Sequence, residues 1–141
     1  MEPLDLTKHA PRSPREMAGG LYMLGRTIDK MRALIPGGVA GEYRLRGFSE
    51  RMLGALGIDA SEMMTVVQNA ANEDEVLQWV HAHSDVTTYD RLNQAMANRR
   101  QKDILPEYKD EFAKLYSDDL RAQHDVLFDV IEADDRKAFG V

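Results

Sequence analysis

SPREMAGGLYMLGRTIDKMRALIPGG, residues 13–38, is the clearest element of the chain. Ser13 can cap a helix, Pro14 suits its first position, and Glu16 stands where its carboxylate can return a hydrogen bond to the cap. Met17, Leu21, Leu24, Ile28, Met31 and Ile35 recur at alternating spacings of four and three, so they share one helical stripe until Pro36-Gly37-Gly38 stops it. The spacing predicts a helix from Ser13 to Ile35 with that stripe in the core. The stretch from Pro36 to Gly47 then holds four of the ten glycines. Its alternation over Gly41-Glu42-Tyr43-Arg44-Leu45-Arg46-Gly47 is too short for more than a strand-like loop.

Further along, a short helix over Arg51 to Leu56 ends at Gly57, a residue suited to left-handed backbone. Asp59 with Glu62 and Asn72 with Glu75 have the capping-box spacing and predict helices to near Ala71 and near His83. The first would bury Met63, Val66, Val67 and Ala70, and the second Val76, Leu77, Val80 and Trp79. A helix over Thr88 to Gln101 would bury Tyr89, Leu92 and Met96. One over Pro106 to Tyr116 would bury Tyr108, Phe112 and Leu115. The last, from Ser117 to about Ala133, would bury Leu120, Leu127, Val130 and Ile131. Residues 1–12 lack periodicity and are expected as an extended N-terminal arm. The fold expected is all-α, a compact irregular or orthogonal bundle of about six or seven helices with a glycine-rich loop after the first, in one domain spanning residues 1–141.

Composition narrows the function. At 141 residues, 43% hydrophobic and 30% charged, the chain can fold as a soluble domain. A net charge of -6 argues against affinity won by neutralising phosphates of nucleic acid. The absence of cysteine excludes disulfides, thiolate metal sites and cysteine nucleophiles. No apolar run reaches the length of a membrane span and no secretory leader is recognisable, so the expected compartment is the cytoplasm.

Two asymmetries locate candidate chemistry. Nine of the ten glycines fall between Gly19 and Gly57, and Gly19, Gly20 and Gly25 lie inside the predicted first helix. Each costs about 1 kcal/mol there relative to alanine, which a close helix crossing or a ligand approaching the backbone would offset. Charge divides too: residues 1–51 carry +3 and residues 52–141 carry -9. On a helix over 13–35, Arg15, Tyr22, Arg26, Asp29 and Lys30 project opposite the apolar stripe, with Arg12 just ahead. Arg12, Arg15, Arg26 and Lys30 are donors suited to a carboxylate or phosphate, although a solvated outer face would carry the same residues. Glu42, with Tyr43 on the glycine-bounded loop, is the best isolated acid.

Metal chemistry finds no support, since His81 and His83 are two apart and would diverge on a helix. No metal or other cofactor is expected. His124 shares a stripe with Leu120, Leu127 and Ile131, a setting for a packing histidine or, less commonly, a general base. Asp118-Asp119 and Asp134-Asp135 read as helix-start acids.

Asp5-Leu6-Thr7, Pro11-Arg12-Ser13-Pro14-Arg15, the run of Arg26, Asp29, Lys30, Arg32 and Ala33, Gly41-Glu42-Tyr43, Gly57-Ile58-Asp59, Glu75-Val76-Leu77-x-Trp79, Asp134-Asp135 and Phe139-Gly140 together resemble a bacterial family catalogued as domain of unknown function 5069. Residues 1–83 carry most of the likeness. The resemblance implies a small bacterial helical domain of unassigned activity and transfers no catalytic residue.

Three functions follow as expectations. The first is binding of a small anionic metabolite by Arg12, Arg15, Tyr22, Arg26, Asp29, Lys30, Glu42 and Tyr43. The second is a module that docks a protein partner through its charged faces. The third is a metal-free and cysteine-free enzyme using Glu42, Asp29 or His124 for proton transfer.

Overall fold

In the computed structural model, residues 1–140 are described and eight α-helices lie among them: α1 (Leu24–Leu34), α2 (Phe48–Leu56), α3 (Ala60–Asn69), α4 (Glu73–Ala82), α5 (Tyr89–Ala97), α6 (Pro106–Leu115), α7 (Asp118–Gln123) and α8 (Leu127–Phe139). They form an all-α irregular bundle, and β-type pairing among the described residues is confined to isolated bridges. Helix α1 is the axis. It packs on α2 and α3, α3 packs on α4, and α2 packs on α5. Nine of its eleven residues are buried, so the helix is enclosed nearly all round, its ionisable Arg26, Asp29 and Lys30 included. Leu24, Ile28 and Met31 meet Met52, Leu53, Met63, Val67, Val76 and Phe128 in the core.

The first helix starts ten residues later than its capping signal suggests, at Leu24 and not at Pro14. Ser13-Pro14-Arg15-Glu16 forms a turn in which Glu16 N–H donates to the Ser13 carbonyl at 3.0 Å. Gly19 and Gly20 then adopt positive φ, 58° and 85°, between Ala18 and Leu21, whose backbones exchange hydrogen bonds of 3.1 and 3.0 Å. Two central residues at positive φ mark a type I′ turn, and Gly-Gly is among the few pairs that adopt it without steric cost. Met17, expected in the core, is 52% exposed as a result. Asn93 of α5 locks the turn, accepting from Tyr22 N–H at 2.9 Å and donating to the Gly20 carbonyl at 2.9 Å. Met23, buried and at φ 68°, precedes α1 with strained left-handed backbone.

Downstream, the caps hold. The Asp59 carboxylate accepts from Glu62 N–H at 3.0 Å, Asn72 Oδ1 accepts from Glu75 N–H at 3.1 Å, and Gly57 ends α2 at φ 72°. The predicted last helix is instead two helices. His124, Asp125 and Val126 are extended between them because this segment pairs with residues 99–101: Gln101 N–H donates to the Asp125 carbonyl and Leu127 N–H to the Arg99 carbonyl. Helix α6 occupies its predicted range, yet none of its residues is buried, and Tyr108 and Leu115 stand about half exposed. The segment before residue 13 is extended and docked. Leu6 is buried, and Leu4 and Leu6 exchange backbone hydrogen bonds with Arg32 and Val39 beside the end of α1.

Candidate functional site

Where α1 meets α8, the Arg26 guanidinium donates to both oxygens of Asp135, Nη1 to Oδ2 at 2.6 Å and Nη2 to Oδ1 at 3.3 Å. The forked geometry matches donor to acceptor, and both side chains are almost wholly removed from water. Tyr43, carried over the pair by the Gly41–Gly47 loop, donates its hydroxyl to Asp135 Oδ1 at 2.9 Å and stacks its ring 5.5 Å from the Arg26 guanidinium carbon. Burial pushes the Tyr43 phenol up, and the Asp135 charge adds to the effect. Tyr116, in the link between α6 and α7, is pushed up to about 12 by burial, with Arg26 opposing and Asp134 and Asp135 adding. Asp134 is raised by burial and then by its charged neighbour Asp135.

Two donors in this cluster have no acceptor. Arg26 Nε is buried without a hydrogen-bond partner. Lys30, one turn further along the same face of α1, is 8% exposed and makes neither a hydrogen bond nor an ion pair among the described residues. Burial pushes its ammonium down to about 7; Arg26 adds to this and Asp135 partly offsets it. Orphaned buried donors are rare in folded proteins, and buried groups with displaced titration concentrate at functional sites.

The other predicted basic residues are gathered elsewhere. Arg12 reaches Asp29 through its backbone N–H at 2.8 Å, Nε at 3.1 Å and Nη2 at 3.1 Å, and pairs with Glu73 as well. Burial works against its charge, but the bonds to Glu73 and Asp29 outweigh that and hold it more basic than usual. Its guanidinium lies on Gly25, where a Cβ would stand 3.0 Å from the guanidinium carbon, so the helical glycine makes room for an ion pair. Arg15 pairs with Asp129 at 2.8 Å and with Glu132, above the Phe128 ring. Because α1 begins at Leu24, Arg15 and Tyr22 lie off it, and Tyr22 packs edge-on against Phe128. Arg26, Lys30 and Tyr43 are thus brought together. Arg12 and Asp29 form a second group, Arg15 a third, and Glu42 is exposed beside the first.

The chain belongs to the family described as Domain of unknown function (DUF5069), matched over residues 8–137. The match takes in residues 84–133, where the sequence likeness was thinner, and with them Tyr116 and α8 up to Lys137. A comparison with curated proteins finds no match. The DUF5069 chain therefore has to be read from its own side chains. Its histidines are engaged locally: His81 Nε2 lies 2.8 Å from the Gly19 carbonyl, and His83 stacks on Trp79. His124 sits in the extended break before α8 rather than on a core-facing helical stripe. None of the described helices is long and apolar enough to cross a membrane.

Sequence reasoning missed Asp135, Asp134, Tyr116 and Asn93. Asp134 and Asp135 are mid-helix in α8, not at a helix start. A signal for Asp135 was present: it follows Ile131 by four on the inner stripe of the helix, and an acid at a core position requires a buried partner.

Proposed function

We propose that this DUF5069 domain binds a small anionic metabolite at the Arg26–Lys30 face of α1, beneath the Gly41–Gly47 loop. The observation that carries the reading is the buried Arg26 Nε without an acceptor, one helical turn from Lys30, a largely buried side chain that forms no ion pair among the described residues. An anion accepting from both would satisfy them and offset the cost of burying two like charges side by side. Tyr43 hangs over Arg26 from a loop whose bounding glycines both have positive φ, so a rotation at Gly41 and Gly47 would uncover the guanidinium. In this reading Arg12, Arg15 and Asp29 brace the site, and Glu42 sits at its rim.

Titration with inorganic phosphate and with pyruvate, followed by thermal shift and by amide NMR, tests the reading. Specific binding to the native state raises apparent stability by mass action, about 2.7 kcal/mol at a hundredfold excess over Kd. Lys30→Met keeps the volume and removes the charge, and is expected to weaken binding about tenfold or more while helical content stays. Equal affinity in the variant removes the assignment.

A second reading, an interaction module, is favoured by one observation: Leu105, Tyr108 and Leu115 leave an exposed apolar edge along α6. Chemical-shift changes confined to α6 on addition of a partner protein would select it over the anion site.

A further inference from the structure

We propose that Lys30 is a nucleophilic amine that forms an imine with a small carbonyl compound bearing a carboxylate, a 2-oxo acid. The inference rests on the anion-binding reading above and names its ligand class.

The surroundings of the amine set its reactivity. Asp135, the carboxylate whose charge acts on the amine, is held by Arg26 and Tyr43, and Asp29, its neighbour in sequence, accepts three bonds from Arg12. Lys30 therefore has a cation one turn away and no carboxylate of its own, in a setting only 8% exposed. A desolvated lysine beside a second cation is the arrangement that makes an amine a nucleophile at neutral pH. Its depressed titration, to about 7, agrees with that geometry. Arg26 Nε, buried and unpartnered one helical turn away, supplies a donor for the carboxylate of the same ligand once the Tyr43 loop has rotated off the guanidinium. Asp134, raised by burial, and the Tyr116 hydroxyl, which makes no hydrogen bond among the described residues, stand near Arg26 as proton carriers.

The step balances without an external reagent. The Lys30 Nζ lone pair forms a C–N bond to the carbonyl carbon as the C=O π bond opens. One of the two nitrogen protons passes to the oxygen to give a carbinolamine. The C–O bond then breaks with a second proton delivered to the departing oxygen, nitrogen loses its remaining proton, and the products are an imine and one water.

The test uses the intact protein, pyruvate as the probe and sodium borohydride as the trap, with peptide mass mapping. The expected result is one reduced pyruvate adduct, on Lys30, exceeding that at exposed Lys102 and Lys109 by about tenfold or more and rising with pH through about 7. Lys30→Arg should abolish it with helical content retained. No adduct on Lys30, or labelling spread evenly over exposed lysines, overturns the proposal. Parallel titration with inorganic phosphate, without the trap, reads the anion site alone. Phosphate binding without a Lys30 adduct sinks the imine and leaves the binding reading in place, whereas failure of both sinks both.

Discussion

Asp135 is the residue on which the buried polar cluster turns, because it neutralises Arg26 and orients Tyr43 at once. Removing one partner of a buried ion pair strands the other charge, which costs about 3–5 kcal/mol, whereas losing one hydrogen bond to a charged group costs about 1.5–3 kcal/mol. Asp135→Ala is therefore expected to destabilise more than Tyr43→Phe in urea denaturation. Combining Arg26→Met with Asp135→Leu should recover most of the loss, since two apolar side chains of similar volume replace both charges. If the double variant is as unstable as Asp135→Ala, the pair is not an uncompensated-charge problem and the account of the cluster fails. At this scale half of the cluster was legible in the sequence. Arg26, Lys30 and Tyr43 stood out by charge and by the glycine-bounded loop. Asp135 was hidden because adjacent acids usually signal a helix start, and its true partner lies 109 positions away in the chain.

Among the elements, the turn at residues 18–21 separates what local signals determine from what packing determines. Helices α3 and α4 follow their N-caps and α2 ends at its glycine cap, signals that act within four residues, although α2 begins at Phe48, three residues before the expected Arg51 and with no side-chain cap. The hairpin ahead of α1 and the break ahead of α8 depend on distant partners, Asn93 for one and residues 99–101 for the other, so periodicity alone ran straight through both. The two readings of Gly20 predict opposite signs. In a helix interior, Gly20→Ala would stabilise by about 1 kcal/mol. At φ 85° it is expected to destabilise by about 1–2 kcal/mol, because the added Cβ penalises left-handed backbone while meeting only ordinary contact with Tyr89. Gly19→Ala should cost more, since its Cβ would also press on His81 at 3.0 Å and Leu77 at 3.2 Å. Thermal denaturation of the two variants measures both, and a stabilised Gly20→Ala contradicts the turn.

For the molecule as a whole, the charge asymmetry is complementarity between its two halves. Arg12 with Glu73, Arg15 with Asp129 and Glu132, Arg26 with Asp135, and Arg46 with Glu111 each join a basic residue of the first 51 positions to an acid beyond them. Lys30 is the buried cation left over, and it makes stability depend on pH with a definite sign. Its native pKa is about 7 against the ordinary lysine value of 10.5, so between those limits the unfolded chain carries a proton that the folded chain lacks. Stability rises with pH wherever the unfolded state binds more protons, by at most about 1.4 kcal/mol per pH unit for one group. Below pH 7 both states are protonated and the cost of the buried charge is fully present. Tyr43 from the loop and Tyr116, both raised, keep their protons through that window. Above the ordinary tyrosine value of 10.0 the unfolded chain loses phenolic protons that the native state retains, so stability turns down again. Urea midpoints should therefore climb from pH 7 to about pH 9.5 and then decline. Lys30→Met is expected to be more stable than the parent at pH 7 and to lose the climb. A parent profile that is flat or falling over that range, or an unchanged climb in Lys30→Met, would show that this ammonium is solvated, and the site built around it would have to be abandoned.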